Sequence, residues 1–315
     1  MNKRAKNDFI YFAAVLAVRF LRASSRLTAI RFMRGLGWIA FHLAHSERRK
    51  TVEHLSRAFA ADKSPARIRA MAKGVFLHFA TAAADAIRLP NLIRDDLNRL
   101  VTHSGMHYLE NALARGNGVI ALTAHFGNWE LLGAWLAQRG YPLKVVGRRA
   151  YDPRLDRMIV ETRNQCGYTN ITRGAGTREI IRTLRRGQIL GMLIDQDTRV
   201  EGVFVDFFNQ PAHTATGPVE LARKFGSPIV PIFLRLRNDL TYRIECQEPM
   251  ELVSSGDEKR DLHINTQKCS HIYENIIKRY PEQWAWMHER WKKKPALQTS
   301  APVDAAATVS DVVSA

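Results

Sequence analysis

Cysteine is scarce in this chain of 315 residues: three only, at positions 166, 246 and 269. They are odd in number, far apart and never in a Cys-x-x-Cys pair, which excludes a disulfide scaffold and a structural zinc site. His103 and His107 stand four apart, but no carboxylate or third ligand lies near them in sequence, so no metal and no cofactor is expected. An apolar run long enough to span a bilayer is also lacking. Residues 9–18 are apolar, yet Arg19 and Arg22 cut the run short of the about 20 residues a spanning helix needs. Lys3, Arg4 and Lys6 precede it as in a signal peptide, but the following arginines spoil the cleavage region. There is no Gly-x-Ser-x-Gly elbow and no cysteine beside a histidine motif. Acidic residues are outnumbered 30 to 47, leaving a formal charge of +17 that demands an anionic partner. Zinc-finger spacing, a ribonucleoprotein-type aromatic motif and a helix-turn-helix are all missing, which argues against nucleic acid. An acidic membrane face, a phosphorylated glycolipid and an acidic carrier protein would each answer the same field.

What is present is a globular composition, 46% hydrophobic, enough for one large core or two modest ones. Residues 9–18 and a second apolar stretch at 35–44 are interleaved with Arg19, Arg22, Arg26, Arg31 and Arg34. That pattern reads as helices lying in a membrane interface, or as a hydrophobic hairpin packed on the core. Amphipathic helices follow from about 50 to 100. Strands are then expected at 118–123, 143–146, 189–194 and 229–235, with an edge strand at 240–246 and helices at 129–138, 154–166, 177–186, 217–225 and 261–280. This alternation predicts an α/β fold, a layered, mainly parallel sheet flanked by helices, with an N-terminal helical membrane-associating segment. The expected divisions are that segment at 1–45, a catalytic domain at 46–295 and a flexible tail at 296–315.

The most informative stretch is Thr123-Ala124-His125-Phe126-Gly127-Asn128-Trp129-Glu130. A strand precedes it and a helical pattern follows, so His125 falls in the turn and Glu130 in the first helical turn. An imidazole beside a carboxylate is held in one tautomer while its free nitrogen takes a proton. The plainer alternative is a helix whose N-terminal dipole favours Glu130, with His125 a satisfied loop histidine.

His-Phe-Gly-Asn-Trp-Glu resembles the signature of the lauroyl/myristoyl (late) acyltransferases of bacterial lipid A biosynthesis, within the glycerolipid acyltransferase-like group. Four further blocks follow in that family's order. They are Val145 to Asp156 with Arg148, Arg149 and Pro153; Gly191 to Asp197 with Asp195 and Asp197; Phe204 to Gly217 with Thr214, leading into Pro228 and Pro231; and Pro281 to Lys292 with Trp284, Trp286, His288, Arg290 and Trp291. Together they cover residues from about 105 to 293.

The resemblance implies a membrane-associated O-acyltransferase on the cytoplasmic face of the bacterial inner membrane, moving a fatty acyl chain from acyl carrier protein thioester to a hydroxyl of a phosphorylated lipid A precursor. His125 is the implied general base and Glu130 its support, with no acyl-enzyme. A cationic or amide donor near Arg148 would meet the oxyanion, with Arg149 one place away as the alternative. Asn128, Asp195, Asp197 and Thr214 are the other implied substrate-binding positions, the two aspartates shaping the cleft and orienting basic residues. An enzyme of the same fold acting on another glycolipid or phospholipid, or a thioester hydrolase, is the alternative.

Overall fold

The computed structural model describes residues 3–174 and 176–295, so the expected tail at 296–315 lies outside the described residues. Five helices come first: α1 (Lys3–Ala23), α2 (Arg26–Leu43), α3 (His45–Phe59), α4 (Pro65–Ile87) and α5 (Leu89–Arg94). Then β1 (Val101–Ser104), α6 (Met106–Ala114), β2 (Val119–Thr123), α7 (Trp129–Gln138), β3 (Leu143–Gly147), α8 (Pro153–Gln165), β4 (Thr169–Thr172), α9 (Thr177–Arg185) and β5 (Ile189–Leu193) alternate. A hairpin of β6 (Gly202–Asp206) and β7 (Pro211–Ala215) precedes α10 (Gly217–Phe225), β8 (Ile229–Leu236), β9 (Tyr242–Cys246) and α11 (Glu258–Arg279).

Seven strands form one sheet in the order β1-β9-β8-β2-β5-β3-β4. Every pairing in it is parallel except β8 with β9, which confirms the α/β architecture expected from the alternation. β2 is buried along its whole length because helices cover both faces, and this is why it reads as a continuous apolar run. Its alternate residues feed two cores: Ile120 and Leu122 join the cluster beneath α4 and α11, while Val119 and Ala121 join that beneath α6 and α7. Two strands of four residues, β1 and β4, and the hairpin went unread, being too short for a periodic signal. His103 lies on β1 and His107 on α6, so the two do not share a helix. Trp284, Trp286 and Trp291 are all buried core aromatics.

The N-terminal helices are docked on the domain along one face. A Cβ on Gly37 of α2 would lie 2.7 Å from Ala80 Cβ and 2.9 Å from the Phe76 carbonyl on α4, so only glycine permits this approach. Arg26 holds Asp85 of α4 through two hydrogen bonds of 2.9 and 2.7 Å, and Tyr242 donates to the same carboxylate at 2.8 Å. Arg88 donates to the Leu21, Arg22 and Ser24 carbonyls that end α1. The opposite face is bare. Among the described residues, every exposed large apolar side chain except Tyr151 and Ile159 lies between Phe9 and Leu43. None of the described helices is long and apolar enough to cross a membrane.

Candidate active site

Parallel pairing brings the site together. Thr123 of β2 is in register with Leu193 of β5, and His125 and Asp195 each follow two residues beyond those partners. Both therefore emerge at the carboxyl ends of adjacent strands, where open α/β sheets place their ligands. Asp195 Oδ1 lies 2.9 Å from His125 Nδ1, while Oδ2 accepts the His125 main-chain N–H at 2.8 Å and the Trp284 indole N–H at 2.8 Å. Burial opposes ionisation of this fully buried carboxyl, but the His125 imidazole, Trp284 and the His125 backbone N–H together hold it below the usual range. An ionised Asp195 accepts from His125 Nδ1–H and leaves Nε2 free. The Trp129 ring meets the imidazole edge-on at 5.1 Å between centroids.

The turn carrying His125 depends on close backbone approach. Gly127 has φ +60°, and a Cβ there would fall 1.7 Å from the Leu234 carbonyl. Its N–H donates to Gln283 at 2.8 Å, and its carbonyl accepts from His78 Nε2 of α4 at 3.1 Å. Burial, partly opposed by that hydrogen bond, pushes His78 down to about 4 from 6.5. The unfolded chain thus binds the proton first, so stability is complete above pH 6.5 and is lost as pH falls toward 4. The expected loss is on the order of 3 kcal/mol. Urea midpoints measured across this range should fall with pH in the native protein and fall less steeply in His78→Gln, which keeps the donor but does not titrate.

The structure corrects the expected partner of His125. Glu130 makes no hydrogen bond to His125. It lies on α7 and receives Arg163 Nε at 2.9 Å, a second Arg163 nitrogen, the Tyr168 hydroxyl at 2.7 Å and the Trp129 indole at 3.1 Å. Burial pushes its pKa up, yet the Arg163 pair and the Tyr168 and Trp129 bonds outweigh that and hold it below the ordinary 4.5. Asn128 is likewise engaged elsewhere: its side chain caps α7 by accepting from Leu131 N–H at 3.1 Å and donates to the Ala82 carbonyl at 3.0 Å. Thr214 is fully buried on β7, outside the cavity, bonded to the Ala212 carbonyl and to Arg290. Neither Asn128 nor Thr214 lines the cavity beside His125.

A cavity of about 1280 Å³ opens beside His125, above the ~300–1,000 Å³ of a typical small-ligand pocket. Arg148 lines it and Arg149 does not. Arg148 follows β3, two strands from β2, about 10 Å across the sheet. It is exposed at the rim. Arg163 and Arg173 line the same cavity without any sequence signal for it.

The cavity also has an apolar arm. Ala121, Gly191 and Val145 are register neighbours across β2, β5 and β3, and Leu132, Gly133 and Leu136 of α7 face the same space. Part of the wall is the segment 284–293, strapped down by Trp284 on Asp195, by Ala285 N–H on the His125 carbonyl at 3.1 Å, and by Lys293 N–H on Asp197 at 2.9 Å. Asp197 lines the cavity and serves as that anchor. Arg290, fully buried and pushed down to about 10 by burial despite Asp195 and Asp197, donates to the His213 carbonyl and to Thr214. No group of three or more candidate metal-ligating side chains occurs among the described residues.

The chain is 24% identical over 295 residues to a phosphatidylinositol mannoside acyltransferase of Mycobacterium tuberculosis (strain CDC 1551 / Oshkosh), covering 91% of this chain and 89% of the relative. It is 26% identical over 211 residues to the protein of that name from Mycolicibacterium smegmatis, covering 66% and 67%. Over 203 residues it is 26% identical to the lipid A biosynthesis lauroyltransferase of Escherichia coli (strain K12), covering 61% of each. Residues 2–293 match the bacterial lipid A biosynthesis acyltransferase family, and the chain is therefore an acyltransferase belonging to that family.

Proposed function

We propose that the enzyme transfers a fatty acyl chain from acyl carrier protein thioester to a hydroxyl of a phosphorylated lipid A precursor, at the cytoplasmic face of a bacterial inner membrane. The observation that carries this reading is one cavity holding a free imidazole nitrogen at the end of an apolar slot. The acyl tail lies over the Ala121-Gly191-Val145 row, its thioester carbonyl beside His125. His125 Nε2 takes the proton of the acceptor hydroxyl, and Asp195 stabilises the imidazolium. The oxygen attacks the carbonyl, the C–S bond breaks, and the imidazolium returns its proton to the leaving sulfur. Direct transfer fits the cysteines: burial pushes Cys166 up to about 11 and Cys246 and Cys269 up to about 12, so none presents a thiolate. Arg148 and Arg173 offer charge to a phosphate of either substrate.

The bare face of α1 and α2 supports membrane attachment. Phe12 and Leu16 are 63% and 65% exposed, with Arg19 and Arg31 also at the surface. Arg154 of α8 links this face to the cavity: it pairs with Asp8 at 2.7 Å and stacks on Tyr11 at 4.4 Å, and Ile159 of the same helix lines the cavity. The route taken by a lipid acceptor in this reading runs from that face along α8 into the cavity. Phe12→Ser should weaken binding to vesicles of anionic phospholipid about tenfold, since burying a large apolar side chain contributes roughly 1.5–3 kcal/mol. Co-sedimentation measures it. Unchanged binding would place attachment elsewhere.

The reading is tested by incubating the full chain with lauroyl acyl carrier protein and a lipid A precursor, a mannosylated phosphatidylinositol, or no acceptor, with products resolved by mass spectrometry. The mannoside arm is included because relatives matched over most of their length are named for that acceptor. The expected product is acylated lipid A precursor. Free fatty acid alone would make the enzyme a thioesterase. Gly191→Val should disfavour long chains, because its Cβ would sit 3.0 Å from Val145 Cγ1. Displacing about two methylenes at ~0.8 kcal/mol each lowers kcat/KM for a long chain roughly tenfold and leaves short chains unaffected.

A further inference from the structure

His125 is not the only imidazole of the cavity. His288, on the strap, lines it as well. Its ring makes no hydrogen bond to any described residue, and Nε2 is buried without a partner. Every other strap side chain on the cavity is apolar or engaged. Met287 is apolar, Glu289 pairs with Lys50 and Lys292, and Lys293 is tied to the Thr198 carbonyl and to Asp197. A half-buried imidazole whose buried Nε2 has no partner is costly unless something else satisfies it.

Its placement relative to the base is fixed. Trp284 donates to the carboxylate that orients His125, Ala285 donates to the His125 carbonyl, and His288 N–H donates to the Ala285 carbonyl at 3.1 Å. His288 is thereby a turn away from the His125 backbone. No carboxylate accepts from it, whereas His125 has Asp195. Burial pushes His288 below 6.5; Asp195 opposes that, and His125 and Arg290 add to it. The ring is therefore neutral near pH 7, a poor base and a good hydrogen-bond donor, the state in which an imidazole polarises a carbonyl without carrying charge.

We infer that His288 is a catalytic residue that donates a hydrogen bond to the thioester carbonyl oxygen as it becomes an oxyanion. This deepens the proposed acyl transfer and rests on it. As the acceptor oxygen bonds to the carbonyl carbon, its proton passes to His125 and the carbonyl electron pair moves to the oxygen held by the His288 N–H. Collapse of that oxyanion expels the thiolate, which recovers the proton from His125.

Two variants test the assignment. His288→Met keeps the reach and loses the donor; His288→Gln keeps an N–H donor. Steady-state transfer from lauroyl acyl carrier protein to the acceptor used by the native enzyme should show kcat lowered about 10²-fold in His288→Met, with KM for the thioester changed less than about threefold. His288→Gln should recover about tenfold of that loss. A packing role would lower both variants alike and would shift the thermal midpoint. Equal activity of the two variants, or a His288→Met kcat within about threefold of native, overturns the inference. Should His288→Met fail to fold, His288→Gln decides by itself: kcat falling about tenfold at unchanged KM supports the role, and an unchanged kcat overturns it. Absence of transfer by the native enzyme overturns instead the acyl-transfer reading beneath it.

Discussion

Asp195→Asn is expected to lower kcat about 10⁴-fold with the fold intact. Both oxygens of Asp195 face donors: Oδ2 accepts two N–H groups, from His125 main chain and Trp284, and Oδ1 accepts His125 Nδ1–H. An asparagine must keep its carbonyl oxygen toward the two fixed donors, so its NH₂ points at Nδ1. The imidazole then has to accept there and carry its proton on Nε2, the nitrogen that should receive the acceptor's proton. The base is lost though no atom has moved far. His125→Ala should cost as much as Asp195→Asn, and combining the two should add little, because the pair acts as a unit. Transfer kinetics beside a thermal melt provide the check. A kcat within about tenfold of native for folded Asp195→Asn would remove the dyad from the mechanism.

Sequence and structure part company at this pair. The strand, turn and helix around His125 were legible because β2 is a buried apolar run, Gly127 and Asn128 mark a turn and a cap, and α7 has a helical apolar pattern. Glu130 drew attention as the carboxylate nearest along the chain. Asp195 is nearest across the sheet, and that neighbourhood follows from β5 inserting between β2 and β3, a strand order that no local pattern encodes. The aspartate was visible as a strand-end residue, but its partner was not. Similarly, Trp284 and His288 belong to the closing block, while the strap that sets Trp284 on Asp195 and His288 in the cavity is a long-range event. Arg148 and Arg149 could not be separated by composition; the cavity separates them, since only one lines it.

Glu130→Gln is expected to lower unfolding free energy by about 3 kcal/mol, the lower end of the cost of breaking a buried ion pair, and to affect kcat far less than Asp195→Asn. Arg163 would keep its charge at 16% side-chain exposure while losing the carboxylate that receives two of its nitrogens. The Tyr168 hydroxyl, donating to the same group, would face an amide that satisfies it only in one orientation. The damage lies in joining α7, α8 and the Tyr168 segment around the cavity, not in the tautomer of His125. Removing both charges should therefore repair what removing one breaks: Glu130→Gln with Arg163→Met should be more stable than Glu130→Gln alone, since replacing a whole buried pair is often near neutral. The pH dependence has a definite sign. With its folded pKa held below 4.5, Glu130 contributes stability above that value and loses it as pH falls through the folded pKa, a slope that Glu130→Gln should lack. Chemical denaturation of the single and double variants measures the coupling. If Glu130→Gln instead matched Asp195→Asn in lost turnover at native stability, Glu130 would act on the base after all, through Trp129, whose indole it holds and whose ring packs on His125.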